Sequence, residues 1–328
     1  MKAIVIARAT GADGLEMQDR PEPTPGAFDI AVAVRASALN RADLLQMMGQ
    51  YPAPPGVPPD VPGLEYAGEV LATGPYAQRF RKGDRVMGLI GGGAFAERIV
   101  VHEREALPVP DGMSFEHAAA IPEAFITAWD ALVTQAGLLP GEKVLVHAAT
   151  SGVGTAAVQI VQAVGARVVG TGRTRAKLER LERELGRFPL LLVSGEPRFA
   201  AEVKRATGGM GVDVVLDLVG GAYLPETLST LAPRGRLVLV GLLSGSSAEV
   251  DLRSVMSRRL LLFGTVLRSR PLEEKIAVAR SAERHLLPLF AEGRLRPVVD
   301  DVLPMSEVRR AVERLVANES FGKLVLRW

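Results

Sequence analysis

A glycine-rich turn between a short apolar run and an apolar helical stretch has the residue types that bind a phosphate group. Lys143–His147 is mostly apolar and β-branched, which predicts a buried strand. Ser151-Gly-Val-Gly154 follows, and apolar residues then recur at helical spacing over Thr155–Gly165. Backbone N–H groups at a helix N-terminus attract an anion, and glycines let its oxygens approach. The stretch predicts a dinucleotide phosphate site. A plain strand-to-helix turn is the alternative, because the glycine fingerprint is only partly matched.

The residues after the next predicted strand, Arg167–Thr171, indicate which dinucleotide would bind. An acid at this point accepts hydrogen bonds from a ribose 2′-hydroxyl, whereas cations and a hydroxyl suit a 2′-phosphate. The chain has no acid here and carries Arg173, Thr174 and Lys177 instead. We therefore expect NADP(H) to be preferred over NAD(H). A solvated helix start is the alternative interpretation.

Composition and charge exclude several classes of function. The chain has 328 residues, of which 48% are hydrophobic and 23% charged, as in a soluble globular protein. Its net charge of +2 and its scattered basic residues disfavour nucleic-acid binding. It has no cysteine and four widely separated histidines, so we expect neither disulfides nor a metal site. The N-terminus lacks the layout of a leader and no apolar run approaches membrane-spanning length, so we expect a cytoplasmic protein with no membrane partner.

Residues 1 to about 122 predict a small antiparallel barrel. Short apolar runs are separated there by turns rich in glycine and proline. The predicted strands cover residues 3–7, 30–34, 66–71, 85–89 and 97–101. A helix is expected at 39–49, followed by the long loop Gln50–Gly63, whose prolines make it stiff. Ser114 is the predicted N-cap of a helix that stops at Pro122, before another helix over 125–135.

From residue 143 strands alternate with helices, which predicts an α/β fold with a doubly wound parallel sheet. The predicted strands cover residues 143–147, 167–171, 190–193, 213–218, 236–241 and 261–265. Helices are expected between them, at roughly 155–164, 175–185, 198–206 and 222–231. Beyond about residue 268 we expect a helix at 273–291, another near 306–317, and a last strand at 323–327.

Several separated motifs follow one another along the chain: Ala38–Asp43, Gly49–Pro52, Gly63–Glu65, Ala119–Ala124, Leu145–Ala149, Ser151–Thr155, Asp217 with Gly220-Gly221, Leu267–Arg270 and Gly322-Lys323. In this combination they resemble the zinc-free quinone oxidoreductase branch of the medium-chain dehydrogenase/reductase superfamily. Within that branch the chain is most similar to the tumour-suppressor-inducible quinone oxidoreductase subgroup and its bacterial relatives. The resemblance covers most of the chain, and its separate motifs are far more specific than the glycine turn alone.

The resemblance implies two domains. A GroES-like β-barrel substrate domain would comprise residues 1–122 and 268–328, a Rossmann NADP(H)-binding domain residues 123–267, and the active site the cleft between them. A homodimer joined through the edge strand near 261–265 is also implied. Zinc-dependent members carry a cysteine ligand and a Gly-His-Glu motif, whereas this chain has no cysteine and reads Gly63-Leu-Glu65. The resemblance is thus to metal-free members, with no Lewis acid to polarise an alcohol.

The expected catalytic candidates are Asn40, Tyr51 and Asp43. The resemblance places Asn40 close to the nicotinamide, where its amide would orient the ring or the substrate; fixing a strand-to-helix corner is the alternative. Tyr51 would donate a hydrogen bond to the oxygen that gains charge, or would belong to an apolar lid. Asp43 is either part of this group or only a helix-start charge.

The residues expected to bind NADPH are spread over several loops. Thr127 matches the family position at the nicotinamide end. The pyrophosphate is assigned to backbone groups of Gly152, Val153, Gly154 and Thr155, and Ser151 is also expected to bind the cofactor. The 2′-phosphate is assigned to Arg173, Thr174 and Lys177. Candidates that follow later strands, on the side where dinucleotides lie in such sheets, are Gly241, Leu242, Thr265, Val266 and Leu267. Lys323 is expected either to reach the phosphates or to be a solvated lysine.

Together these features predict an NADPH-dependent, metal-free quinone oxidoreductase whose partner is a small-molecule quinone. An electron-poor quinone accepts hydride readily, and the cofactor supplies that chemistry. One alternative is reduction of the activated C=C bond of an enone or alkenal, because the same hydride geometry serves it. Another is an NADPH-binding protein without turnover.

Overall fold

The chain forms two compact units in a computed structural model that describes all 328 residues. Unit 1 comprises Met1–Ile126 and Leu267–Trp328, and unit 2 comprises Thr127–Val266. From the sequence we expected the divisions at 122/123 and 267/268. No helix combines the length and the apolar composition that a membrane span requires.

The strands are numbered in chain order. They are β1 (Lys2–Ile6), β2 (Leu15–Asp19), β3 (Asp29–Ala38), β4 (Glu65–Thr73), β5 (Arg85–Leu89), β6 (Arg98–His102), β7 (Leu107–Pro108), β8 (Lys143–Val146), β9 (Arg167–Gly172), β10 (Leu190–Leu192), β11 (Val212–Asp217), β12 (Leu231–Leu239), β13 (Leu261–Gly264), β14 (Val299–Pro304) and β15 (Lys323–Arg327).

The α-helices are numbered in the same way. They are α1 (Arg41–Met47), α2 (Phe115–Ala119), α3 (Thr127–Trp129), α4 (Gly152–Val164), α5 (Arg175–Leu185), α6 (Ala200–Ala206), α7 (Leu224–Thr230), α8 (Leu252–Arg258), α9 (Leu272–His285), α10 (Leu287–Ala291) and α11 (Val308–Val316). Short 3₁₀ turns cover Gly11–Gly14, Gly221–Tyr223 and Met305–Glu307, and π-helical turns cover Pro122–Ile126 and Asp130–Gln135.

Unit 2 contains the predicted parallel sheet. Its six strands lie in the order β10-β9-β8-β11-β12-β13, and every pairing between neighbours is parallel. The strand order reverses between β8 and β11, which is the switch point where dinucleotides bind in sheets of this topology. The apolar face of α4, including Ala157 and Ile160, is fully buried. The expected Rossmann-type sheet is therefore confirmed.

Unit 1 is built around a second sheet, with the order β14-β15-β3-β4-β5-β7 and with β6 also paired to β3. Most of its pairings are antiparallel, whereas β14 and β15 run parallel. The C-terminal strand β15 pairs with β3, which puts Val325 opposite Ala38. Since β4 pairs with the same strand, the first residues of β4 and β15 lie at the same end of the sheet as the start of α1.

Several predicted elements differ in detail. The strand β2 and the helix α8 were not predicted. The helix expected over 273–291 is broken into α9 and α10, because Pro288 lies in the first turn of α10 and cannot continue α9. The helix expected from residue 125 begins instead at Pro122, since proline is tolerated in a first helical turn. The predicted N-cap Ser114 is confirmed, as its hydroxyl accepts the His117 N–H at 3.3 Å.

The turn between β8 and α4 requires glycine at position 154. A Cβ on Gly154 would lie 2.2 Å from the Ala148 carbonyl oxygen and 2.7 Å from the Ala149 Cα. We expect Gly154→Ala to open the turn, to lower the free energy of unfolding by roughly 1–3 kcal/mol and to weaken binding of the expected dinucleotide. Thermal unfolding and calorimetric titration with NADPH measure the two effects.

A control is available in the same sheet. A Cβ on Gly264 would meet nothing closer than Leu239 O at 3.7 Å, so Gly264→Ala should leave folding and NADPH affinity unchanged. If Gly154→Ala bound NADPH as tightly as the wild-type chain, the tight turn would not be required for the cofactor.

Candidate active site

A buried ion pair lies at the centre of the polar cluster in unit 1. The Lys323 ammonium is 2.6 Å from the Glu65 carboxylate, and the two residues are 4% and 0% exposed. Lys323 also donates to Leu39 O at 3.2 Å and to Asn40 Oδ1 at 2.5 Å. An ammonium has three N–H donors, so all of them have partners within the chain. The expectation of a solvated lysine is wrong, and no donor is left for a phosphate.

The Asn40 side chain is held by the same pair. Its Nδ2 donates to Ala38 O at 3.1 Å and to Glu65 Oε1 at 2.9 Å, while Oδ1 accepts from Lys323. Both amide donors are used, and Asn40 is the N-cap residue of α1. This geometry favours the alternative in which Asn40 fixes the strand-to-helix corner between β3 and α1.

Asp43 is a buried helix-start carboxylate. It is 0% exposed, and its two oxygens accept the Asn40 N–H at 2.8 Å and the Gly63 N–H at 2.9 Å. Burial raises the pKa of Asp43 to about 6, against the opposing effect of these two hydrogen bonds and of Lys323. Because both oxygens hold the backbone, the helix-start interpretation fits the geometry better than a catalytic role.

Tyr51 is positioned by Arg268, a residue that the sequence analysis did not select. Arg268 is 6% exposed; it donates to Gly91 O at 2.7 Å and to Tyr51 O at 3.1 Å. Its guanidinium lies over the Tyr51 ring, 4.8 Å from the centroid. It also donates to Gln46 Oε1, and Gln46 in turn donates to Pro59 O. Arg268 and Gln46 therefore hold the proline-rich loop at both ends.

The Tyr51 hydroxyl makes no hydrogen bond within the chain, although its ring and main chain are fixed. Burial raises the pKa of Tyr51 above its usual value, so the phenol keeps its proton at neutral pH. A fixed, protonated hydroxyl without an internal partner is a hydrogen-bond donor available to a bound molecule. The sequence signal for Arg268, which holds Tyr51 in place, was the motif Leu267–Arg270.

Glu123 is a second site residue that sequence reasoning missed. It lies in the π-helical turn Pro122–Ile126, and its backbone N–H donates to Glu65 Oε2 at 2.7 Å. Burial, and next the neighbouring Glu65 charge, raise the pKa of Glu123 to about 8. Its signal in the sequence was the motif Ala119–Ala124, which contains it without indicating a role.

The turn that precedes α4 carries the phosphate-site residues of unit 2. Ser151 is the N-cap; its hydroxyl accepts the Gly154 N–H at 3.0 Å and its carbonyl the Thr155 N–H at 2.8 Å. The Thr155 hydroxyl donates to Gly152 O at 2.9 Å. This leaves the N–H groups of Gly152 and Val153 without partners in the chain. A four-residue backbone cradle was expected, and two donors at a helix N-terminus remain.

The other predicted cofactor residues occupy varied environments in their own units. Arg173 and Thr174 are exposed at the end of β9, and Lys177 is partly buried in the first turn of α5. Thr127 is buried at 7% exposure, and the Thr265 hydroxyl donates to Asp130 at 3.1 Å. The remaining predicted residues follow the ends of β12 and β13: Gly241, the exposed Leu242, the exposed Val266 and the buried Leu267.

The buried ion pair should be costly to break from one side. Lys323→Met would leave the Glu65 carboxylate buried without its cation, so we expect a loss of about 3–5 kcal/mol in the free energy of unfolding. Lys2→Met is the matched control, because the Lys2–Asp19 pair is 48% and 77% exposed. That substitution should cost about 0–1 kcal/mol. Urea unfolding of both variants checks the difference, and equal small losses would contradict it.

Two protein-family models match separate parts of the chain. The family model described as "Alcohol dehydrogenase GroES-like domain" matches residues 26–111, and the one described as "Zinc-binding dehydrogenase" matches residues 152–283. Human quinone oxidoreductase is 30% identical over 99% of this chain and 97% of its own length. A mycocerosic acid synthase-like polyketide synthase of Mycobacterium tuberculosis is 35% identical over 94% of this chain, which spans 14% of that protein.

Solved structures show the same fold over the whole chain. The quinone oxidoreductase of Pseudomonas syringae pv. Tomato DC3000 superposes with a TM-score of 0.87 at 30% identity, covering 100% of this chain and 99% of that one. The CurK enoyl reductase superposes with a TM-score of 0.85 at 29% identity, covering 99% and 98%.

The zinc in one family description does not fit this chain. Leu64, within the motif Gly63-Leu-Glu65, is apolar and 2% exposed. The Glu65 carboxylate beside it is bonded to the Lys323 ammonium at 2.6 Å. The chain has no group of three or more His, Cys, Asp or Glu side chains that could hold a metal ion. On its sequence, its fold and its relatives, the chain belongs to the quinone oxidoreductase-like branch of the medium-chain dehydrogenase/reductase superfamily, whose members are oxidoreductases that use a nicotinamide cofactor.

Proposed function

We propose that the chain is an NADPH-dependent, metal-free quinone reductase. The observation that carries the proposal is the Tyr51 hydroxyl, which is fixed by Arg268, protonated and without an internal partner. NADPH supplies the hydride when it is bound. A quinone that accepts hydride gains negative charge on an oxygen, and a preorganised hydroxyl donor stabilises that charge. Tyr51 then has the role that a metal ion has in alcohol dehydrogenation.

The preference for NADPH is supported by the residues at the end of β9. Arg173 and Thr174 are exposed there, and Lys177 follows one helical turn later. The Thr174 hydroxyl makes no capping hydrogen bond to α5, so it is available for a 2′-phosphate. The N–H groups of Gly152 and Val153 are the donors proposed for the pyrophosphate.

Reduction of an activated C=C bond is the second candidate, and the similarity to the CurK enoyl reductase favours it. Hydride addition to an enone produces an enolate, whose oxygen requires the same kind of donor as a reduced quinone. The arrangement around Tyr51 therefore serves either acceptor.

Oxidation of NADPH and NADH, measured side by side with 9,10-phenanthrenequinone, a para-quinone and a simple enone, tests the proposal. Quinone-dependent turnover with a clear NADPH preference is the expected result. Turnover with the enone alone would assign the chain to the alkenal reductases. NADPH binding without oxidation by any acceptor would overturn the enzymatic proposal and favour a binding protein.

We further propose a homodimer joined through β13. This strand is at the edge of the unit 2 sheet, and an unpaired edge is a template for pairing with a second copy. Large apolar side chains are exposed on it and on the preceding helix α8: Leu252 at 68%, Met256 at 77% and Leu261 at 55%. Exposed apolar groups of this size mark interaction surfaces when they cluster.

If Arg173 binds the 2′-phosphate, its substitution should change the KM for NADPH but not the KM for NADH. Each hydrogen bond to a charged group contributes about 1.5–3 kcal/mol, so Arg173→Gln should raise the KM for NADPH roughly ten- to a hundredfold. The KM for NADH should not change. Arg183→Gln, at the exposed far end of the same helix, is the control. An equal effect of Arg173→Gln on both dinucleotides would show that this residue does not read the 2′-phosphate.

The dimer assignment predicts that a charge on the edge strand separates the subunits. Leu261→Lys should convert the dimer to a monomer in sedimentation experiments. Leu139→Lys, at a residue that is 61% exposed elsewhere in unit 2, should leave the dimer intact. A wild-type chain that sediments as a monomer would contradict the assignment.

A further inference from the structure

Glu123 is unusual because its main chain is held in place while its carboxyl has no partner. Its main chain is tied to Glu65 Oε2 by a 2.7 Å hydrogen bond from the Glu123 N–H. The side chain is partly buried, and it makes no hydrogen bond or ion pair within the chain. A partly buried acid in a first helical turn whose carboxyl bonds neither a backbone N–H nor a cation invites a functional explanation.

The charged groups that act most strongly on Glu123 come from several elements of unit 1. Glu65 of β4 and Asp43 of α1 oppose its ionisation, whereas Lys323 of β15 and Arg268 favour it. Neither cation is bonded to Glu123. Lys323 gives all three of its donors to other acceptors, and Arg268 directs donors to Gly91, Tyr51 and Gln46. The pKa of Glu123 is accordingly raised from 4.5 to about 8, mainly by burial.

Glu123 also interacts electrostatically with Tyr51, the proposed oxyanion donor, and raises its pKa. The two groups belong to one polar cluster in unit 1, together with Glu65 and Arg268. At neutral pH this cluster presents two proton-bearing groups without internal partners: a phenol, which suits hydrogen bonding, and a carboxyl, which is acidic enough to give up its proton.

We propose that Glu123 is the acid that delivers the proton of the reaction. This rests on the proposed function. Bound NADPH would supply a hydride, and so two electrons, to the acceptor, which would leave an anionic oxygen on a quinone or an enolate on an enone. The Glu123 O–H bond then breaks, and its electron pair stays on the carboxylate. The new bond is the second O–H of the hydroquinone, or the α C–H of the saturated ketone, and water reprotonates Glu123.

The test is Glu123→Gln, which keeps the shape of the side chain and removes its acid. General acid catalysis typically contributes about 10²–10⁴-fold, so kcat should fall by roughly a hundredfold or more while the NADPH dissociation constant stays unchanged. In the wild-type chain kcat should decline as the pH rises through about 8, the range in which Glu123 loses its proton. The variant should lose this decline and the solvent deuterium isotope effect, and Glu123→Asp should restore part of the rate.

A second measurement does not depend on turnover. The folded chain holds the Glu123 proton between pH 4.5 and about 8, whereas the unfolded chain has released it. The wild-type chain therefore loses stability as the pH rises through this window. Glu123→Gln lacks that loss, so its melting temperature relative to wild type should increase from pH 5 to pH 8.

The outcomes separate the two proposals. A Glu123→Gln variant with wild-type kcat and an unchanged pH profile, or a melting-temperature difference independent of pH, would overturn the role of Glu123 while leaving the reductase intact. A wild-type chain that fails to oxidise NADPH with any of the acceptors would overturn the proposed function and this role together.

Discussion

The contact between the Glu65 carboxylate and the Lys323 ammonium is the interaction on which the proposed site depends. Removing two charges from water is expensive, and their attraction in the interior offsets that cost only when every remaining donor and acceptor is satisfied. Here Leu39 O and Asn40 Oδ1 accept the remaining hydrogen bonds of the Lys323 ammonium. The Asn40 amide and the Glu123 N–H donate hydrogen bonds to the Glu65 carboxylate. A buried pair of this kind contributes little net stability but fixes geometry, and we assign it that role.

Together with burial, the pair also influences the protonation of the carboxyl groups around it. Three carboxyl groups, on Asp43, Glu65 and Glu123, lie within electrostatic reach of one buried ammonium. Glu65 forms the ion pair with the Lys323 ammonium, and two backbone N–H groups stabilise the charged form of Asp43. Glu123 has neither kind of support, so the cost of burying a third negative charge falls on it, and it retains its proton. The fold thereby creates a neutral acid beside two charged ones without any metal ion.

Local patterns in the sequence were sufficient for most of the secondary structure. The alternation of apolar runs and helices predicted all six strands of the parallel sheet, because each strand is a short apolar run bounded by turn residues. Ser114 was readable as a helix-start residue for the same local reason, whereas Ser151 was expected only as a cofactor residue. The break at Pro288 was also readable, and overlooking it produced one long helix where two exist.

Long-range contacts explain what the sequence did not reveal about the site. Lys323 meets Glu65 only because β15 and β4 both pair with β3, a pairing that joins the two ends of the chain. Arg268 contacts Tyr51 across 217 positions of the sequence, so no spacing rule could connect them. The raised pKa of Glu123 depends on this assembled environment rather than on its neighbours in sequence. Motifs could mark these residues as members of a family pattern. Only the assembled sheet shows which of the side chains contact one another and which pKa values those contacts shift.

The most direct test of this account is the rate of NADPH oxidation by a quinone in a single turnover of Lys323→Met, at a temperature where the variant is folded. If the ion pair holds the site, the rate should fall about tenfold or more, a barrier increase of about 1.4 kcal/mol or more. The NADPH dissociation constant should stay at its wild-type value, because the residues proposed to bind the phosphates lie elsewhere in the chain. A folded variant that oxidises NADPH at the wild-type rate would contradict the account.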